Sequence, residues 1–196
     1  KSCNNIGIVK NELEKILSST PGLSYVDKIE CLQNQLIAME NGGIETPDFL
    51  GAVECNDGGN EVLYPSWSKY NHHFSDGLYV REAFFPKDAL IFSVIHKQAN
   101  PLFLLSGSIV VATPDGVKEL VGPTYILTEP GIKRVVLHLE DSVIITVHPN
   151  PDGLTDLKEI EKRIFACKWE QYDYNLSKNV WETIKHDEYY KNDKKK

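Results

Sequence analysis

Between Leu78 and His148 the chain reads LYVREAFF, PKD, ALIFSVIH, KQAN, PLFLLSG, SIVVAT, PDG, VKELV, GPTYILT, EPGIKR, VVLHL, ED and SVIITVH. Short apolar runs alternate here with turns rich in Pro, Gly, Asp and Asn. This spacing is typical of an all-β sandwich or barrel. No interval between the runs is long enough for a crossover helix, so neighbouring strands are expected to pair antiparallel. The sequence therefore predicts a mainly β fold, an antiparallel β-barrel with helices before and after it.

The chain divides into three predicted segments. Residues 1–50 form a helical N-terminal extension, in which Ile29, Leu32, Leu36 and Met39 recur at helical spacing. Residues 51–150 form the barrel domain, and its strands from residue 78 onwards follow an irregular stretch over 44–77 that is broken by Pro and Gly. Residues 151–196 form a C-terminal helix, with apolar positions at 157, 160 and 164, followed by an arm rich in Trp and Tyr.

Composition excludes several classes of function. The 196 residues carry a net charge of −7, whereas nucleic-acid binders usually show a basic patch. No apolar run is long enough for a membrane-spanning helix. The four cysteines are scattered without a CxxC pair, which favours reduced thiols in a cytoplasmic protein over a zinc site or a disulfide scaffold. We expect a cytoplasmic protein, with a virion-associated one as the alternative, and neither a nucleic-acid nor a membrane partner.

Polar residues interrupt the apolar faces of the predicted strands. Successive strand residues point to opposite faces, so Leu78, Val80, Glu82 and Phe84 share one face of their strand, and Arg81 lies on the other face. By the same alternation, Leu90, Phe92, Val94 and His96 are expected on one face, Arg134 and His138 on another, and Ser142, Ile144, Thr146 and His148 on a third. His96 and His148 end apolar strands, where a barrel has its mouth. Strand-end histidines without a function remain the alternative.

The string HKQANPLFLLSG, followed by PDG, GPTYILTEPGIKR and VHPN, resembles the cupin superfamily over about residues 70–165. It is most similar to small cupin-fold proteins carried by phages and bacteria. In the first cupin motif, Val94 stands at the first His, His96 at the second, Asn100 at the Glu and Gly107 at the final Gly. In the second motif, Gly131 keeps the glycine, while Arg134 stands at the His and His138 at the Asn. The resemblance thus implies a jelly-roll barrel whose metal-ligand positions are mostly replaced.

These replacements argue against the usual cupin metal centre. Divalent Fe, Mn or Ni binds imidazole and carboxylate, which the superfamily supplies from three His and one Glu. Val94 cannot ligate, Asn100 is a weak neutral ligand, and Arg134 is a permanent cation. We therefore expect no cofactor. The alternative is a divalent metal such as Fe, Mn, Ni or Zn in a shifted site on His96 and His148, with His138 or Glu82 as a third group.

Three hypotheses of function remain open. The first is a cupin-fold module that binds a small molecule or belongs to a larger protein assembly. The second is a metal-dependent cupin enzyme of the oxygenase or isomerase type, acting on an anionic or sugar-like substrate. The third is a metal-free sugar-nucleotide or sugar-phosphate enzyme with a histidine base. We favour the first, with a homodimer expected from the apolar helix faces. Its candidate ligand-binding residues are His96, Asn100, Arg134, His138, His148, Arg81 and Glu82.

Overall fold

The structure, a computed structural model, describes residues 24–43, 49–52, 54–56 and 61–166, together with residues 11, 13–15, 18 and 22. The two helices with defined bounds are α1 (Tyr25–Asn41) and α2 (Leu157–Ile164). The strands are β1 (Phe49–Ala52), β2 (Glu54–Asn56), β3 (Glu61–Leu63), β4 (Lys69–Ser75), β5 (Gly77–Phe85), β6 (Ala89–Phe92), β7 (Ile95–His96), β8 (Asn100–Ser106), β9 (Ser108–Thr113), β10 (Gly116–Val121), β11 (Thr124–Thr128), β12 (Val135–His138), β13 (Ser142–Asn150) and β14 (Phe165–Ala166).

The strands form two five-stranded sheets and two small two-stranded sheets. The first large sheet has the order β1-β6-β12-β9-β10, and the second has the order β11-β8-β13-β5-β4. Every pair of neighbouring strands described between residues 78 and 148 is antiparallel, as the sequence predicts, and β1 pairs parallel with β6. The small sheets are β14-β7 and β2-β3.

The two large sheets do not close into the predicted barrel, because each ends at edge strands and the two sheets do not join. They instead share one apolar core, to which both contribute: Ala83, Phe85, Leu104 and Ile144 from one sheet, and Ala89, Ile91, Ile109, Val111 and Val136 from the other. Sandwiches and barrels bury the same alternate residues of each strand, so the apolar pattern does not distinguish them. The fold is mainly β, with an open pair of sheets around one core.

Helix α1 covers the outer face of the first sheet. The Ser24 hydroxyl accepts a hydrogen bond from the Asp27 backbone N–H, and the Asp27 carboxylate accepts one from the Ser24 N–H, which begins the helix with a capping box. Ile29 and Leu32 of α1 pack with the sheet residues Leu90 and Phe92. The alternation predicted that Leu90 and Phe92 share a face with His96. They do not, because the strand breaks between β6 and β7.

The irregular stretch predicted over residues 44–77 contains four strands. The longest of them, β4, pairs with β5 from Lys69↔Phe84 to Ser75↔Leu78. Its sequence, KYNHHFS, is too polar to indicate a strand, and it becomes one because β5 offers a free edge for backbone hydrogen bonds. The predicted aromatic arm over residues 168–196 lies outside the described residues. None of the helices in the described part of the chain has the length and apolar character needed to cross a bilayer.

Candidate functional site

The inner face of the second sheet changes from apolar to polar along β5 and β13. On β5 the inward residues run from Phe85 and Ala83 to Arg81 and Tyr79. On β13 the buried residues alternate through Ser142, Ile144, Thr146, His148 and Asn150, as the sequence predicts. The strand register pairs Thr146 with Arg81 and His148 with Tyr79. The alternation of two adjacent strands thus brings a guanidinium, a phenol, a hydroxyl and an imidazole together at one end of the core.

His96 reaches this group from a different element. It lies on β7 and pairs with Phe165 of β14. Its ring stacks on that of His148, with 5.4 Å between centroids and 22° between planes. The Phe165 ring meets both imidazoles edge to face, at 5.0 Å from His96 and 6.0 Å from His148. Two histidines that are far apart in the chain are therefore neighbours, and both are almost fully buried.

The Arg81 guanidinium lies among three aromatic rings. Its Cζ is 4.7 Å from the centroid of Phe165, 5.4 Å from that of Tyr70 and 5.6 Å from that of Tyr64. Such contacts stabilise a cation through the negative face of each ring. Among the described residues no carboxylate lies within ion-pair distance of this guanidinium. We call the group formed by Arg81, His96, His148, Tyr64 and Phe165 the central cluster.

A hydrogen-bonded relay links Arg81 to helix α2. Arg81 Nη1 donates to Tyr64 Oη at 2.9 Å, and Tyr64 Oη donates to Glu161 Oε1 at 2.5 Å. Glu161 is buried although it is a carboxylate. The relay leaves the opposite edge of the guanidinium unused, because Arg81 Nε is buried and has no hydrogen-bond partner.

The imidazoles of the central cluster are held neutral. Burial, with smaller contributions from His148, Arg81 and Arg134, lowers the pKa of His96 well below its usual value, although a hydrogen bond with Asn100 acts in the opposite direction. Burial, and then the charge of Arg81, lowers the pKa of His148 to about 3. His148 Nε2 lies 3.2 Å from Thr146 Oγ1, whereas His96 Nδ1 is buried without a partner.

The pKa of Arg81 is raised although its burial acts to lower it. Charge interactions with Tyr64, Tyr70 and Tyr79 raise the pKa of Arg81, as does the hydrogen bond to Tyr64. The same burial raises the pKa of Tyr64, so its hydroxyl stays protonated. At neutral pH the central cluster therefore combines one fixed positive charge with neutral imidazoles.

Asn100 and Arg134 lie at the edge of this group. Asn100 is buried, and its backbone carbonyl accepts a hydrogen bond at 2.9 Å from the hydroxyl of Thr128, which also contacts Asn100 Oδ1. Arg134 is buried, and burial lowers its pKa. Its charge acts on both His96 and Tyr25, and its Nε has no hydrogen-bond partner.

Two of the predicted site residues lie away from the central cluster. The His138 ring stacks on Phe85 in the apolar core, with 4.4 Å between centroids, and both of its ring nitrogens lack a partner. Glu82 lies on the opposite face of β5 from Arg81, where Asn71 Nδ2 donates to its Oε2 at 2.9 Å and His73 Nε2 lies 3.7 Å from the same oxygen. The structure thus brings together Arg81, His96 and His148 from the predicted set.

The described residues do not fit the usual cupin metal centre. Val94 packs against the α2 residues Ile160 and Ile164, so the first ligand position lies in an apolar cluster. At the Glu position, the side-chain Oδ1 of Asn100 accepts a hydrogen bond from the Thr128 hydroxyl. Within the part of the chain that the structure describes, no group of three or more His, Cys, Asp or Glu side chains is arranged to hold a metal ion. His96 and His148 are adjacent, but none of the described carboxylates is placed beside them as a third ligand.

Sequence reasoning missed two members of the relay and one ring. Tyr64 lies in a segment that the sequence predicts to be irregular, and Phe165 lies in a strand of only two residues. The sequence pattern does indicate Glu161, because this residue lies four residues after Leu157 and next to Ile160, within the apolar face of α2. A carboxylate within an apolar helical stripe indicates a buried partner.

No family model matches the sequence, and no curated protein matches it. Several solved structures similar to this chain are cupins. A cupin superfamily protein from Desulfitobacterium hafniense has 10% sequence identity and a TM-score of 0.38, over 43% of this chain and 78% of that one. A cupin domain from Bordetella pertussis has 14% identity and a TM-score of 0.35, over 42% of this chain and 93% of that one. An RmlC-like cupin from Shewanella frigidimarina has 15% identity and a TM-score of 0.38, over 53% and 84%.

These structures carry the name of the superfamily that the sequence resembles. At TM-scores this low, the likeness transfers neither a ligand nor an activity to this chain. The chemistry of the central cluster is therefore considered from its own residues.

Proposed function

We propose that this chain is a cupin-like binding module that takes up a small anionic molecule at the central cluster. The observation that carries the proposal is the position of Arg81, a cation on the inner face of the core with no described carboxylate at ion-pair distance. A charge removed from water is costly unless it is paired. A bound anion would supply the missing direct partner.

The charge balance of the central cluster supports an anion over a cation. Among the described contacts, Glu161 is linked to Arg81 through the Tyr64 hydroxyl, and the buried imidazoles of His96 and His148 add no negative charge. The charge of Arg134 also acts on His96. A metal cation would be repelled by these guanidinium groups, whereas an anion would be attracted.

Arg81 is half-buried as a residue, as are Tyr64 and Tyr70 beside it, and its Nε atom is buried. The aromatic rings fix the orientation of Arg81 before a ligand arrives, which reduces the entropy lost on binding.

Calorimetric titration of the full chain with acetate, succinate, inorganic phosphate and the neutral control acetamide tests the proposal. We expect at least one anion to bind and acetamide not to bind. Arg81→Leu should weaken the binding of that anion by about tenfold or more, because a charge-assisted hydrogen bond contributes about 1.5–3 kcal/mol.

Arg163→Leu is the matched control, since it removes the same charge from the surface, where Arg163 pairs with Asp152. This variant should bind the anion as the unsubstituted chain does. Failure of all three anions to bind, or equal loss of binding in both variants, would overturn the proposal. Circular dichroism of each variant shows whether the fold is retained.

A further inference from the structure

The guanidinium edge of Arg81 that makes no hydrogen bond indicates which class of anion binds at the central cluster. This inference rests on the proposed function. The guanidinium has two edges that can each offer a pair of N–H groups. In the structure its hydrogen bond to Tyr64 uses Nη1. The Nε atom, on the opposite edge, is buried and has no partner. A buried donor without an acceptor is unfavourable, so this edge is suited to an acceptor that arrives with the ligand.

We propose that the central cluster binds a small carboxylate, held side-on by the Nε and Nη2 atoms of Arg81. The two oxygens of a carboxylate match two parallel N–H donors of one guanidinium edge. The Tyr64 hydroxyl on Nη1 sets the direction in which the free edge points. The ligand carboxylate then completes the hydrogen bonds of Arg81.

The aromatic rings favour a planar anion over a tetrahedral one. Phe165, Tyr70 and Tyr64 lie within 4.7 to 5.6 Å of Arg81 Cζ. A carboxylate lies in the plane of the guanidinium that it pairs with, whereas a phosphate projects further oxygens out of that plane and towards the surrounding rings.

His96 contacts the same aromatic ring as Arg81. It packs edge to face on the same Phe165 ring that lies against Arg81, and its Nδ1 is buried without a partner. The side chains of Arg81 and His96, each with a buried nitrogen that has no described partner, thus contact the same phenyl ring. Arg134 Nε also lacks a partner, but no described aromatic ring fixes that guanidinium.

Nitrogen-15 NMR of the arginine Nε–H groups tests whether Arg81 binds a carboxylate side-on. The sequence contains only three arginines, Arg81, Arg134 and Arg163, so each signal can be assigned to its residue. Acetate and inorganic phosphate are titrated separately into the labelled full chain. We expect acetate to move the Nε–H signal of Arg81, and phosphate to move it less at the same concentration. Arg81→Lys keeps the charge but loses the paired donors, so it should weaken acetate binding by about tenfold or more.

Arg163→Lys is the control and should bind acetate normally. If Arg81→Lys does not fold, Arg134→Lys and Arg163→Lys assign two of the signals and leave that of Arg81 by elimination. Acetate binding that moves only the Arg134 signal, or that persists in folded Arg81→Lys, overturns side-on recognition but leaves anion binding in place. Tighter binding of phosphate than of acetate overturns the carboxylate assignment alone. Binding of neither anion overturns both.

Discussion

Buried polar side chains in this protein fall into two kinds at the scale of single residues. Arg81 and His96 belong to the central cluster, in which both contact the Phe165 ring at one end of the core. His138 stacks on Phe85 in apolar surroundings, and burial lowers its pKa to about 3. Sequence position does not separate these cases, because each residue interrupts an apolar strand in the same way.

His138→Leu should leave the free energy of unfolding at neutral pH unchanged or raise it. Leucine has a similar volume, and the substitution removes a buried polar group without a partner, whose burial costs about 1–3 kcal/mol. Urea unfolding measures the change, with His73→Gln as a surface control, since the His73 side chain is 60% exposed. A loss of more than about 1 kcal/mol would instead assign the imidazole a stabilising contact.

At the scale of elements, the relay from Arg81 through Tyr64 to Glu161 connects β5 with α2. Helix α2 also packs Ile160 and Ile164 against Tyr79 and Val94. Lys97 adds a further connection, because its backbone N–H donates to the Ile164 carbonyl at 2.8 Å. The helix that closes this end of the sandwich therefore also orients the guanidinium of the candidate site.

Tyr64→Phe and Glu161→Gln should each lower the free energy of unfolding, and the double variant should lose less than the sum. Side chains joined by a hydrogen bond couple by about 0.5–3 kcal/mol in such cycles. Urea unfolding of the four chains gives the coupling energy. Tyr125→Phe, at a tyrosine that is 63% exposed, is the matched control and should have no effect. Additive losses from the first two substitutions would mean that the relay contributes nothing to stability.

At the scale of the whole molecule, the buried histidines make stability depend on pH. Burial lowers the pKa of His96, His138 and His148, the last two to about 3, whereas an unfolded chain has histidine pKa values of about 6.5. Between these values the unfolded chain binds more protons than the folded one. The free energy of unfolding therefore rises with pH in this window and falls as the pH is lowered.

We expect the free energy of unfolding to fall by about 1 kcal/mol per pH unit for each histidine that stays neutral, as the pH drops below about 6. Urea unfolding at a series of pH values measures this slope. His138→Leu should make the slope shallower. An unchanged slope in His138→Leu would mean that this imidazole takes up a proton in the folded state as it does in the unfolded chain.

The local sequence pattern was sufficient to predict most strands between residues 78 and 148. The runs of Val, Ile and Leu between turn residues predicted antiparallel strands over residues 78–148, and the alternation on β13 placed Ser142, Ile144, Thr146 and His148 on one buried face. These features follow from short-range rules, because apolar side chains at every second position of a strand reach the same side. Arg81 was recognisable as a candidate for the same reason.

Tertiary contacts determine the arrangement of the sheets, the strand β4 and the composition of the central cluster. The sheets form an open sandwich, because the same alternation serves a barrel and a sandwich equally well. The polar strand β4 exists because the edge of β5 was free to pair with it. The central cluster gathers Tyr64, Arg81, His96, His148 and Phe165 from five separate parts of the chain. Such contacts depend on the packing of distant segments, which the spacing of residues along the sequence does not encode.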